Sequence, residues 1–357
     1  KPKTFLKKFF PIYRKFGDFI LVRIFINYLQ RVFFENSSNT EKNKYFDLLY
    51  YWQMIPIEVP QKDFLVDFSH ISALNNYSFI SKNDKKHIIE TLVSSKCKKI
   101  IPFSEASKNS IKSLDESLFK QIKEKVEVIY PAIPNYSERF KSQSSNEIIK
   151  DETKLNVLFV GKDCVIKGLH ELLHTVKYEL DKSKINLYVV SDASEEMKKK
   201  YNNSNIHFLE PKFSHEDIIK KLFMPADLFV MPSHSELLGL AFLDALSSGT
   251  PAIGLKQYST PEIIQEGVNG FLLDSNRCYL NDYPLPDKKN NQGYFSDEPE
   301  DMVVNQLVEI LNKLIVSKGV LNRLSDNATK DFRPGGKFSL EYRNQRYRNI
   351  FNQLSND

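Results

Sequence analysis

Residues 160–174 read V-G-K-D-C-V-I-K-G-L-H-E-L-L-H and offer two kinds of chemistry at once. Lys162 and Lys167, framed by Gly161 and Gly168, form a tight turn that brings two ammonium groups and a helix amino terminus toward one anion, an arrangement suited to a diphosphate. Two solvated lysines on a loop would read the same way, and neither the Walker A nor the G-x-G-x-x-G spacing is present. The overlapping His170-Glu171-x-x-His174 matches H-E-x-x-H, a zinc-hydrolase signature. Zinc needs both histidines on a helix face turned to a cleft, and a third ligand. Leu169, Leu172, Leu173 and Val176 make the apolar face, which puts the histidines on the outer flank. Glu195, a third ligand one could nominate, belongs to a charged helix beyond the next strand.

Residues 231–254 read M-P-S-H-S-E-L-L-G-L-A-F-L-D-A-L-S-S-G-T-P-A-I-G. A helix opens near Gly239, and the backbone N–H groups around Leu238, Gly239 and Leu240 are free to bind a phosphate oxygen. Glu236 precedes this helix and Asp244 lies within it, so two carboxylates bracket its start and could hold two hydroxylated parts of one ligand. Either acid alone is equally a cap or a surface group. A third stretch, P-E-I-I-Q-E-G-V-N-G-F-L-L at 261–273, puts Glu262 at the opening of a short helix that Gly267 ends, facing the same cleft.

The elements that must carry these residues alternate. The pattern predicts strands at 155–160, 185–190, 206–209, 228–231, 252–255 and 271–273, with helices at 169–180, 195–201, 216–223 and 240–247 between them. That spacing implies a parallel sheet wound on both faces, with ligands beyond the carboxyl ends of its strands. Before the polar stretch 141–154, which reads as a linker, the pattern is less regular. Strands are expected at 64–68, 99–103 and 126–130 and a helix at 85–94, giving a second, smaller α/β domain. Eleven of the twelve glycines fall at or after Gly161.

The bulk properties exclude several classes. At 357 residues, 41% hydrophobic and 27% charged, the chain is long enough for two globular domains. Cys97, Cys164 and Cys278 share no metal or disulfide spacing, which fits a reducing, cytoplasmic setting. Net charge is a modest +5, but residues 1–34 hold eight basic side chains against one acid, interleaved with aromatics, a composition that can lie on an anionic membrane surface or form the basic face of a packed helix. The apolar run 19–29 is about half a membrane span and Arg23 interrupts it.

Four segments together resemble the donor-binding half of the retaining glycosyltransferases of family 4 (glycosyl transferases group 1). They are F-V-G-K-D-C-V-I-K-G, A-D-L-F-V-M-P-S-H-S-E-L-L-G-L-A-F-L-D-A-L-S-S-G-T-P-A-I-G, P-E-I-I-Q-E-G-V-N-G-F-L-L and K-F-S-L-E-Y-R-N-Q-R-Y-R-N-I-F. The likeness is dense over about 155–275 and loose in the tail. It implies a GT-B fold, two Rossmann-like α/β domains with parallel sheets facing across a cleft. Residues 1–150 would form the acceptor-binding domain, 151–330 the nucleotide-sugar domain, and 331–357 a helix returning to the first.

The resemblance also implies roles. Lys162 and Lys167 hold the diphosphate, Glu236 contacts the transferred sugar, and Asp244, standing where the family has Glu, grips the ribose. Leu238, Gly239, Leu240 and Glu262 complete the donor site. His70, in D-F-S-H after a strand, stands where the family often has an active-site His. The glycine pair usual before Glu262 is Tyr258-Ser259 here. The family's glycine-rich loop after its first strand is not visible, so it either precedes Lys1 or is lacking. The expected protein is a metal-independent, cofactor-free retaining hexosyltransferase acting on a glycan or lipid-linked acceptor, cytoplasmic or peripheral at the inner membrane face, with no nucleic-acid partner. A GT-B protein that binds nucleotide-sugar without turnover is the alternative, and a zinc hydrolase on His170 and His174 the remote one. Residues 276–298 read as an insertion.

Overall fold

The computed structural model describes residues 48–75, 80–142, 151–277 and 298–356. The basic, aromatic stretch 1–34, most of the polar linker and nearly all of the 276–298 insertion lie outside the described residues. By packing, the chain divides into two units. One holds residues up to Pro102 together with Leu114–Glu127, and the other holds Phe103–Ser113 and everything from Val128 onward.

The first unit is built on a three-stranded parallel sheet, β1 (Leu48–Trp52), β2 (Asp63–Phe68) and β3 (Cys97–Pro102), in the order β1-β2-β3. β2 is central and its residues 64–68 are buried. Helix Lys82–Val93 begins at a reciprocal cap: Ser81 Oγ accepts from Asp84 N, and Asp84 Oδ2 accepts from Ser81 N. The strand expected at 126–130 does not form. Val126 makes a single bridge to Ile100, and the segment then runs extended without ladder partners toward Pro131. β1 was not anticipated, because L-L-Y-Y-W lacks the alternation of a half-buried strand.

The second unit carries a six-stranded, wholly parallel sheet: β4 (Leu155–Gly161), β5 (Ile185–Ser191), β6 (Ile206–Leu209), β7 (Leu228–Met231), β8 (Ala252–Leu255) and β9 (Gly270–Leu273). The order is β6-β5-β4-β7-β8-β9, so the winding reverses between β4 and β7. β5, β7 and β8 are buried along their whole length, as strands inside a parallel sheet are, while β6 at the sheet edge is only partly covered. Two expected helices change pitch midway. Leu169–His174 continues as a π-turn over Thr175–Glu179, and His215–Ile218 does so over Ile219–Phe223. The helix carrying Glu262 spans only Thr260–Ile263 and stops before Gly267.

The tail forms helix Leu340–Asn356. Ahead of it, Phe338 is fully buried, its ring centroid 5.5 Å from those of Tyr130 and Phe332, and its carbonyl accepts from Ile133 N. Tyr130 and Ile133 lie within the first 150 residues yet pack with the second unit. Among the described residues no helix is long and apolar enough to cross a membrane.

Candidate donor site at the strand-order reversal

In an open parallel sheet, the loops that follow the two strands flanking the reversal diverge and leave a crevice beyond the strand ends. Here those strands are β4 and β7. The loop after β4 carries Lys162 and Lys167, and the loop after β7 carries Glu236 and Gly239.

The β4 loop is held by hydrogen bonds and by Cys164, which is buried in the core. Asp163 takes a positive φ of 55°, and its N–H donates to Asp192 Oδ2, with the Cys164 N–H donating to Oδ1 of the same carboxylate. Gly168 closes the turn at φ 74°. A β-carbon there would sit 2.1 Å from the Pro232 carbonyl oxygen, so the two loops touch backbone to backbone. A second tie runs from His234 N to Ile166 O, 2.9 Å.

These contacts bring Lys167 and Glu236 together. Lys167 Nζ lies 2.6 Å from Glu236 Oε2 and 3.3 Å from Ser235 O, with both side chains largely buried. The other oxygen, Glu236 Oε1, accepts from Gly239 N at 3.0 Å. Gly239, at φ 72°, starts helix Leu240–Ser247 without a side-chain cap, Leu238 is buried beneath it, and Leu240 is exposed. Lys162 is exposed on the β4 loop. Lysine, carboxylate and helix amino terminus thus meet at one point. The loop after β8 is tied to them: Gln257 Nε2 donates to Ser233 O at 2.8 Å, and Ser259 Oγ donates to Leu237 O.

The remaining expected residues lie in other clusters. Asp244 accepts a 2.9 Å hydrogen bond from His215 Nε2, and Tyr136 stands edge-on to the His215 ring. Burial raises the Asp244 carboxyl above its usual range, with the His215 bond opposing. Glu262, expected to face the donor, instead has both oxygens engaged. Oε2 accepts from Glu105 N and Tyr130 Oη, Oε1 accepts from Ala106 N, and Lys337 Nζ donates to its carbonyl. His70 belongs to the first unit and is buried just past β2. Ser72 N donates to its Nδ1, and burial pushes its pKa down to about 4, so the ring is neutral at pH 7.

The H-E-L-L-H stretch is not the outer flank of its helix. His170 and Glu171 are buried, and the two histidines turn to different partners: His170 Nδ1 lies 3.5 Å from Tyr201 Oη, and His174 Nε2 lies 3.6 Å from Glu179. Among the described residues no group of three or more His, Cys, Asp or Glu side chains is arranged to hold a metal ion. Glu171 pairs with His234 Nε2 at 2.9 Å. Sequence reasoning missed Asp192, His215 and His234. The first two follow or approach strand ends, a signal that was available, whereas the His234 partner is visible only in three dimensions.

Residues 154–279 match the family described as Glycosyl transferases group 1. An uncharacterized 41.2 kDa protein in the cps region of Klebsiella pneumoniae is 31% identical over 156 residues, covering 43% of this chain and 42% of that protein. Sulfoquinovosyl transferase SQD2 of Arabidopsis thaliana is 32% identical over 145 residues, covering 39% of this chain and 28% of that protein. The chain therefore spans less than half the length of either relative. The crystal structure of Anabaena Alr3699/HepE in complex with UDP superposes with a TM-score of 0.57 at 16% identity, covering 82% of this chain and 73% of that one. The structural likeness shows the fold, GT-B, as the sequence leads one to expect.

Proposed function

We propose that this protein is a glycosyltransferase that moves a sugar from a nucleoside-diphosphate sugar to a glycan or lipid-linked acceptor. The observation that carries this reading is the Lys167–Glu236 pair beside an uncapped helix start, at the reversal of the sheet. Lys162, Lys167 and the N–H groups of Leu238 and Leu240 receive the diphosphate, while the Gly239 N–H stays on Glu236 Oε1. As the phosphates draw Lys167 away, Glu236 Oε2 is released to a hydroxyl of the transferred sugar. Asp244, with His215 on its outer oxygen, takes the ribose. Glu262 acts through the loop it anchors rather than by touching the donor.

The chemistry proceeds with retention. The acceptor oxygen bonds to the anomeric carbon on the face that the leaving diphosphate vacates, the carbon–oxygen bond to the diphosphate breaks, and the acceptor's proton passes to a phosphate oxygen. Two lysines and the helix dipole stabilise the charge developing on the leaving group, so the step calls on no metal. The first unit binds the acceptor. Residues 1–34 supply contact with an anionic membrane surface, and co-sedimentation with vesicles of anionic lipid tests that part alone.

The activity is tested by incubating the protein with radiolabelled UDP-, GDP- and ADP-sugars and following both transfer and slow donor hydrolysis. Turnover of any donor supports the reading. Donor binding with neither transfer nor hydrolysis makes the protein a nucleotide-sugar-binding module instead.

A further inference from the structure

Glu171 and His234 stand 63 positions apart and are almost fully buried, yet their side chains meet at 2.9 Å. Burying a carboxylate is unfavourable unless something holds it, and an apolar pair of equal volume would pack at least as well. The rest of the pair is sparsely satisfied. Glu171 Oε1 also receives a long bond from Glu300 N at 3.4 Å, while Glu171 Oε2 and His234 Nδ1 are buried without a hydrogen-bond partner among the described residues. A pair contributing only stability would not be built this way.

Its place in the chain supplies a reason. Glu171 is the third residue of the helix that begins after Gly168, four positions beyond Lys167. His234 lies two positions before Glu236, and its backbone N–H already holds Ile166 O. The imidazole therefore spans from the β7 loop to the first turn of the helix behind the β4 loop. The two loops are joined twice through one residue, by its backbone and by its ring, and the Lys167–Glu236 contact lies just beyond.

We propose that Glu171 and His234 are positioning residues that fix the β4 and β7 loops in register, and so set the separation of Lys167 from Glu236. The inference rests on the glycosyltransferase reading only for its kinetic consequence; its geometric consequence stands alone. Neither residue touches the donor. The pair determines where the diphosphate-binding cation and the sugar-binding carboxylate sit relative to each other.

The test uses Glu171→Ala, Glu171→Gln and His234→Gln in the full chain. Misplacing a reacting group by about 1 Å lowers turnover by roughly a hundredfold, so kcat should fall at least about tenfold in Glu171→Ala and His234→Gln, with the donor KM within about threefold of wild type. Glu171→Gln keeps an acceptor for His234 Nε2–H and should restore most of kcat. A merely structural role would instead lower the folded fraction and leave kcat per folded molecule unchanged, and that result overturns the proposal. The crystal structure of His234→Gln, which keeps a polar side chain at this position, should show the 2.6 Å Lys167–Glu236 contact broken. If the contact persists unmoved, the proposal fails whether or not the protein proves to be a transferase. If the wild type turns over no nucleotide-sugar, the functional reading falls and this crystal structure alone decides the inference.

Discussion

Tyr130 donates its hydroxyl proton to Glu262 Oε2 across 2.6 Å, and the same carboxylate takes the N–H groups of Glu105 and Ala106 at 2.8 Å each. Glu262 is thus the amino-terminal cap of helix Glu105–Leu114, supplied from more than 150 positions away. Burial and this bond together push the Tyr130 hydroxyl well above the phenol range, so it remains a donor at every working pH. Glu262→Ala leaves three donors without an acceptor and should lower stability by about 2 kcal/mol. The readout is a lower urea midpoint at unchanged m-value.

Lys167 and Glu236 should separate binding from turnover. Removing a preorganised charge from a developing anion typically lowers turnover by about a hundredfold. Lys167→Ala is expected to do that and also to weaken UDP, GDP or ADP affinity by at least about tenfold, because the nucleoside diphosphate carries the charge it faces. Glu236→Gln should lower kcat to a similar degree while leaving nucleoside diphosphate affinity nearly unchanged. Calorimetry with the three diphosphates, beside radiolabelled transfer assays, distinguishes the two.

Gly168→Ala should be more damaging than an exposed loop substitution. The new methyl group would meet the Pro232 carbonyl at 2.1 Å, in a backbone conformation that residues with a β-carbon rarely adopt. The loops must part or the helix must shift, with an expected loss of about 3 kcal/mol and of most activity. Thermal unfolding, with and without nucleoside diphosphate, measures both effects.

Asp67 and His70 should oppose each other as pH changes. Burial pushes the Asp67 carboxyl up to about 6, against bonds from Tyr50 and Gln53, and pushes His70 down to about 4. A raised carboxyl pKa means the fold favours the protonated acid, so that contribution is present below pH 4 and is lost as pH rises toward 6. A lowered imidazole pKa means the fold favours the neutral ring, so that contribution is present above pH 6.5 and is lost as pH falls toward 4. Each amounts to about 3 kcal/mol over its window. Wild-type stability from this pair should be nearly level between pH 4 and 6. Asp67→Asn should make stability rise with pH across that window, and His70→Gln should make it fall, both read from urea unfolding at pH 4.5 and 6.

Legibility in the sequence followed the range of the interactions. Helix Leu240–Ser247 and strand Ala252–Leu255 were read to the residue, because continuous apolar runs bounded by Gly239 and Pro251 are local signals. The placing of the candidate residues in loops after strand ends was legible too, whereas the contact between the β4 and β7 loops was not. Val126–Tyr130 looked like a strand by composition, but it touches the open edge of β3 only at the Val126–Ile100 bridge before turning toward the second unit's core, a path that no local pattern records. Glu262 stood where a donor ligand was expected, and its true partners, Ala106 and Tyr130, are remote in sequence. Glu171 was conspicuous as part of H-E-L-L-H, whose two histidines turn to different partners, while its own partner His234 lay unremarked inside the neighbouring motif.

The reversal of strand order also has a consequence during synthesis. β4 pairs with β5 on one side and β7 on the other, and Asn156 at its start bonds Asp227, 71 positions later. At ribosomal speeds of about 5–20 residues per second, β4, one of the two central strands of the sheet, waits roughly 4–14 s for its second neighbour. Over that interval its open edge, a row of unpaired N–H and C=O groups flanked by apolar side chains, is exposed to whatever else is nearby. The protein's vulnerability to aggregation should therefore be concentrated in the nascent chain between the emergence of β5 and of β7, and chaperone demand with it.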